Sequence, residues 1–102
     1  MRSMKDFTVL FADDDKEYVS LFEKTLSYFF DHIIIASDGK EACDLFETHA
    51  CDIVILDLQM PHMSGLEVAK KIRETNKEVP IFITTNYQDF SHAIEGYKYA
   101  LV

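Results

Sequence analysis

The sequence predicts an α/β domain built on a doubly wound parallel sheet, and two observations carry that reading. Short β-branched and aromatic runs alternate with segments of helical periodicity, the pattern of strand–helix–strand units. The apolar runs are continuous rather than alternating, as expected of parallel strands covered on both faces. A third observation concerns function. Acidic residues close two of the runs, and ligands of such sheets bind at the carboxyl ends of the strands.

The elements follow in order. The first strand spans residues 7–12 and ends in Asp13-Asp14-Asp15. A helix is expected over residues 16–30, where Val19, Phe22, Leu26 and Phe29 or Phe30 recur at helical spacing. Ile33-Ile34-Ile35-Ala36 reads as the second strand. Asp38 then caps a helix with Glu41 in the reciprocal N3 position, and Ala42, Leu45 and Phe46 form its buried face. The third strand spans residues 52–56 and is followed by Asp57. The loop Leu58-Gln59-Met60-Pro61-His62-Met63-Ser64-Gly65 comes next.

Ser64 and Glu67 make a second capping box. The helix they open runs to about residue 75 and buries Leu66, Val68, Ala69 and Ile72. Glu67–Lys71 and Lys70–Glu74 are expected to pair on its exposed side. Residues 79–85 read as the fourth strand, with Pro80 near the start, where a missing donor is tolerated. A fourth helix is expected over residues 89–99, with Gly96 a weak point inside it.

Bulk properties exclude several classes. A chain of 102 residues makes one domain. Its 18 acidic and 10 basic residues give a net charge of −8, which argues against direct contact with nucleic acid or an anionic membrane. No apolar run approaches the ~20 residues of a membrane span. The first residues lead straight into a strand with no signal-peptide core, so a cytoplasmic location is expected. Cys43 and Cys51 read as buried, reduced thiols. The four histidines are scattered, which gives no support to a zinc site.

The acids carry the chemistry. If the first and third strands are neighbours, Asp13, Asp14 and Asp57 converge at one end of the sheet. Like charges ~4 Å apart repel by about 4 kcal/mol at an effective dielectric of ~20, so such a cluster calls for a cation. Mg²⁺ suits it, with carboxylates from Asp13 and Asp14, one from Asp57, and a backbone carbonyl from the following loop. A cation there can also hold a phosphate oxygen beside Asp57, which makes this carboxylate a phosphoryl acceptor. Thr85 could donate its hydroxyl to the incoming group. Taken singly, the same residues have plainer roles: Asp14 or Asp15 as a helix cap, Asp57 as a strand end, Pro61 and Gly65 as loop formers.

Together, Asp13-Asp14, the run Asp57-Leu58-Gln59-Met60-Pro61-His62-Met63-Ser64-Gly65, and Val79-Pro80-Ile81-Phe82-Ile83-Thr84-Thr85 resemble the receiver domain of two-component response regulators. The resemblance covers nearly the whole chain. It implies a flavodoxin-like fold with strand order 2-1-3-4-5, and phosphoryl transfer to Asp57 from a histidine kinase or phosphotransfer protein. It also implies Mg²⁺ held by Asp13, Asp14, Asp57 and the Gln59 backbone carbonyl, and a switch hydroxyl on Thr85 rather than Thr84. Gln59 and Tyr87 would flank the path of a hydrolytic water.

The sequence departs from the family pattern near its end. The family's fifth strand, with its lysine and following proline, and the fifth helix are expected to be missing from residues 1–102. Strand four would then leave an edge open to self-association. Asn86 stands where the family usually has a small residue. An alternative is a receiver-like interaction module that no longer phosphorylates. The absent lysine allows it, and the intact acidic cluster opposes it. An aspartyl phosphohydrolase would need a second acid two residues after the nucleophile, where this chain has Gln59. No glycine-rich nucleotide loop is present.

Overall fold

Thr8–Ala12 forms β1, the strand around which the sheet is built. The computed structural model describes residues 3–84. After a single 3-10 turn at Met4–Asp6, β1 is followed by α1 (Lys16–Leu26), β2 (His32–Ala36), α2 (Gly39–Thr48), β3 (Ile53–Asp57), α3 (Gly65–Thr75) and β4 (Ile81–Thr84). The four strands are parallel and stand in the order β2-β1-β3-β4. This is the doubly wound arrangement expected from the continuous apolar runs. The fourth helix expected over residues 89–99, and everything beyond Thr84, lie outside the described residues.

Alternate residues of each strand feed two cores. Leu10, Ala12, Val54, Leu56, Ile81 and Ile83 point to one face, where Ala42 of α2 and Val68, Ala69 and Ile72 of α3 meet them. Val9 and Phe11 point to the other face, against Leu26, Val19 and Phe22 of α1. Ile33, Ile35, Ile53 and Ile55 also lie on that second face and are only half-buried. Both faces are apolar, which is why the strand runs show no polar alternation.

The helix ends differ from expectation in instructive ways. α1 stops at Leu26 rather than continuing to residue 30. The Ser27 hydroxyl donates to the Lys24 carbonyl at 2.6 Å, and the Tyr28 amide donates to Thr25 instead, a tighter turn that ends the α-helix. Phe30 still packs on the second core, but Phe29 is exposed.

Asp38 caps α2 by accepting from the Glu41 amide at 2.7 Å, as expected. Glu41 does not reach back to the cap residue. Its carboxylate accepts from the amide of Ser37, one residue earlier, at 2.7 Å. Ser64 Oγ accepts from the Glu67 amide at 3.2 Å and opens α3. On that helix Lys71 approaches Glu74, at 4.0 Å, one residue closer than the spacing expected for its pair with Glu67. Cys43 and Cys51 are free and half-buried, and burial pushes both thiols up from their ordinary value.

Candidate functional site

Strand register builds the site. Ala12 of β1 lies beside Leu56 of β3, so the residues that follow, Asp13 and Asp57, emerge at the same level. Asp57 in turn lies beside Thr84 of β4. Oxygens from Asp13, Asp14 and Asp57 all lie within 4.8 Å of one another. The convergence expected from the sequence is therefore present.

The three consecutive aspartates divide their work. Asp15 is the N-cap of α1 and accepts from the amides of Glu17 and Tyr18, each at 3.1 Å. Asp13 is buried, and its Oδ1 accepts from the Asp15 amide at 2.9 Å. Its own amide donates to Ala36 of β2 at 3.1 Å, which ties the site to the sheet. Asp14 is exposed. With Asp15 committed to the helix, Asp13 and Asp14 remain as the pair facing Asp57.

Among the described residues the carboxylates of the cluster raise one another's pKa. Burial raises the Asp13 carboxyl above its ordinary value, helped by the charges of Asp14 and Asp15 and opposed by the Asp15 amide. Asp57 is pushed up to about 6, first by burial, then by the Asp13 charge. Backbone N–H groups of Gln59 and Leu58 pull it part of the way back. Charges at this spacing repel by roughly 3 kcal/mol per pair at an effective dielectric of ~20. A divalent cation among three carboxylate oxygens would reverse the sign of that interaction. Mg²⁺ fits this donor set: all ligands are hard oxygens, and an exposed member such as Asp14 leaves room for the waters Mg²⁺ retains.

The loop after Asp57 is held at both ends. The Leu58 amide donates to Thr84 at 2.7 Å, and the Gly65 amide donates to Leu58 at 2.9 Å. A β-carbon on Gly65 would collide with the Asp57 carbonyl, so α3 approaches the acceptor's backbone only because this residue has none. Gly39 stands in the same relation to the Met63 carbonyl across the site. His62 adopts φ 71°, the left-handed region that favours glycine. Pro61 and Gly65 thus do shape the loop, and the loop shape fixes where Gln59 follows Asp57. The Gln59 side chain is exposed.

The Thr84 hydroxyl donates to the Leu56 carbonyl at 3.4 Å, back onto β3. Thr85, Asn86 and Tyr87 lie outside the described residues.

Tyr18 is a site neighbour that the sequence analysis did not single out. It sits in the first turn of α1, and its ring stacks on Phe22 at 5.6 Å with an 8° interplanar angle. It also meets Phe11 at 6.3 Å. Burial, then the charges of Asp13 and Asp57, raise its phenol above the ordinary value. Its place three residues after the helix cap was the available signal.

The family model described as the response regulator receiver domain matches residues 9–102. The chain belongs to this family. The receiver domain is 34% identical over 88 residues to the response regulator MprA of Mycolicibacterium vanbaalenii, covering 86% of this chain and 38% of that protein. It is 32% identical over 88 residues to MprA of Mycobacterium avium, covering 86% of this chain and 39% of the relative. The chain thus spans less than two fifths of the length of these curated relatives.

Among solved structures, it is similar to the receiver domain of the Francisella response regulator 1452, with TM-score 0.80 and 30% identity. That match covers 93% of this chain and 78% of the other. It is also similar to the response regulator TrrA of Thermotoga maritima in complex with Mg²⁺-BeF, with TM-score 0.76 and 34% identity, covering 85% of this chain and 76% of the other. The β2-β1-β3-β4 order agrees with the flavodoxin-like arrangement of the family. Among the described residues, no helix is long and apolar enough to cross a membrane.

Proposed function

We propose that Asp57 is the phosphoacceptor of this receiver domain and that it takes a phosphoryl group from a phosphohistidine of a histidine kinase or phosphotransfer protein. The observation that carries this reading is the convergence of Asp13, Asp14 and Asp57 oxygens within 4.8 Å at the carboxyl ends of β1 and β3. An Asp57 oxygen attacks phosphorus. The bond between phosphorus and the donor imidazole nitrogen breaks, and that nitrogen keeps the electron pair. With its carboxyl at about 6, Asp57 is mostly ionised at neutral pH and available as the nucleophile.

Asp13, Asp14, Asp57 and the Gln59 carbonyl would hold Mg²⁺. When bound, the ion neutralises charge on the acceptor and on the phosphoryl oxygens. Asp13 is fixed by the Asp15 amide, and the Asp57 carboxylate by the Leu58 and Gln59 amides, so the acceptor is oriented before the donor arrives. Thr85 is the switch hydroxyl that moves toward the phosphoryl group. Gln59 orients the water that later hydrolyses the acyl phosphate, and Tyr87 obstructs it. Residues 1–102 act as one receiver domain, working beside the kinase in the cytoplasm.

Incubation with phosphoramidate and Mg²⁺, read by intact mass, tests the acceptor. The expected result is a hydroxylamine-sensitive gain of one phosphoryl group that Mg²⁺ removal and Asp57→Asn each abolish. Equal labelling of the Asn variant overturns the assignment.

A further inference from the structure

The loop between Asp57 and α3 contains a strained turn. The Met63 amide donates to the Pro61 carbonyl at 2.8 Å, and His62 between them has φ 71°. A three-residue turn with positive φ at its centre is the rarer, strained kind of γ-turn, and histidine brings a β-carbon to it. Such strain persists only where the surrounding structure holds it. Pro61 and His62 are exposed. The half-buried residues on either side of them, Met60 and Met63, pack on the first core.

Met63 lies along one full turn of α2. A β-carbon on buried Gly39 would collide with the Met63 carbonyl and β-carbon, so the two backbones meet with nothing between them. Four residues on, along the same face of α2, Cys43 brings its Sγ to 4.0 Å from Met63 Sδ. Gly65, two residues after Met63, abuts the Asp57 carbonyl in the same close way, and its amide donates to Leu58 at 2.9 Å. Contacts therefore run from α2 through Met63 and Gly65 to the backbone of Asp57.

We propose that Met63 is a positioning residue for the acceptor site: seated between Gly39 and Cys43 of α2, it holds the strained turn and so fixes the loop backbone that carries Gln59. The consequence for phosphoryl transfer rests on the reading of Asp57 as phosphoacceptor. Side-chain rotation cannot correct a displaced backbone group. The Leu58 and Gln59 amides that orient Asp57, and the Gln59 carbonyl that would hold Mg²⁺, stand where the loop puts them. A loop that relaxes at His62 shifts them, and transfer is sensitive to small errors of position.

Four variants of the full chain test the idea. Met63→Ala removes the seated side chain, and Met63→Leu keeps its bulk without the sulfur. Gly39→Ala pushes on the same contact from α2. Leu26→Ala opens the second core, on the opposite face of the sheet, and serves as a control for lost stability. Three quantities are read: hydrogen exchange of the Gly65 amide without metal, affinity for Mg²⁺, and the rate of Asp57 labelling by phosphoramidate at saturating Mg²⁺.

Met63→Ala and Gly39→Ala are expected to exchange Gly65 about tenfold faster, to bind Mg²⁺ about tenfold more weakly and to label about tenfold more slowly. Met63→Leu should stay within about twofold of the parent in all three, because packing rather than sulfur chemistry makes the contact. Leu26→Ala should lose urea stability and keep parent values for all three.

Unchanged Gly65 exchange and Mg²⁺ affinity in Met63→Ala would overturn the proposal. So would losses in Leu26→Ala that match those of Met63→Ala, by assigning the effect to overall stability. A Leu variant as impaired as the Ala variant refutes seating by bulk. If Met63→Ala does not fold, Gly39→Ala with parent values overturns the proposal in its place. If the unaltered chain takes no phosphoryl group at Asp57, the acceptor reading fails, and Gly65 exchange with Mg²⁺ affinity still decides the role of Met63.

Discussion

Asp57→Asn separates the electrostatic cost of the acidic site from its function. In the absence of metal the Asp57 carboxyl rises from its ordinary 3.8 to about 6, by burial first and by the Asp13 charge second. A carboxyl with a higher pKa in the folded state binds its proton more tightly there than in the unfolded chain. The ionised form therefore opposes folding. That penalty is complete above the folded value, shrinks as pH falls through it, and is gone below 3.8. A rise from 3.8 to about 6 corresponds to about 3 kcal/mol. Solvent screening at a half-buried group leaves roughly 1–2 kcal/mol of it.

Asparagine has nearly the same shape and keeps an oxygen to accept from the Gln59 and Leu58 amides, but it carries no charge. The assay is urea unfolding with a chelator present, at about pH 7.5 and about pH 4. The Asn variant is expected to be more stable by roughly 1–2 kcal/mol at the higher pH and by only about a few tenths at the lower, where most of the penalty has gone. In excess Mg²⁺ the order reverses, because only the parent chain retains the full set of carboxylates. A variant no more stable than the parent at the higher pH without metal would refute this reasoning. So would an offset that is the same at both pH values.

Three further outcomes are expected. Millimolar Mg²⁺ should raise the melting temperature; binding contributes about 2.7 kcal/mol at one hundred times the dissociation constant. Asp14→Ala should remove that effect, and a parent melting temperature that ignores Mg²⁺ at matched ionic strength would count against a metal site. Gly65→Ala should destabilise by roughly 1–3 kcal/mol, because its β-carbon meets the Asp57 carbonyl, and should slow labelling of Asp57. Helix propensity alone predicts the opposite sign, a gain of about 1 kcal/mol, so the direction of the urea midpoint shift decides between them. His62→Gly should stabilise by about 0.5–1 kcal/mol by relieving φ 71°, whereas His62→Val should destabilise. Equal midpoints for the two variants would show that the loop relaxes around either residue.

Much of the fold is visible in local sequence because the physics behind it is local. Continuous apolar runs fixed β1, β3 and their burial on both faces. Asp38 and Ser64 announced α2 and α3 because a cap bonds an amide three residues away. The acids at strand ends announced the site for the same reason: once strands are parallel, their carboxyl ends share one edge. The end of α1 was not visible, since apolar spacing continues to Phe30 while Ser27 diverts the Lys24 carbonyl and tightens the turn. Nor was it visible which of Asp14 and Asp15 would cap the helix, because both have the same chemistry.

The sequence by itself determined the class of the chain, the alternation of its elements and the identity of the acids at its strand ends. Each of these depends on residues close together along the chain. Only the tertiary structure decided the β2-β1-β3-β4 order and the register that levels Ala12 with Leu56. It also brought Asp13 and Asp14 within reach of Asp57, assigned Asp15 to the cap, and set Tyr18 on a stack anchored at Phe11. These depend on groups far apart in sequence, and on burial that exists only once the sheet is closed against its helices. The raised Asp57 carboxyl is the clearest case. Burial and a neighbour 44 residues away along the chain push it up, and neither acts before the fold forms.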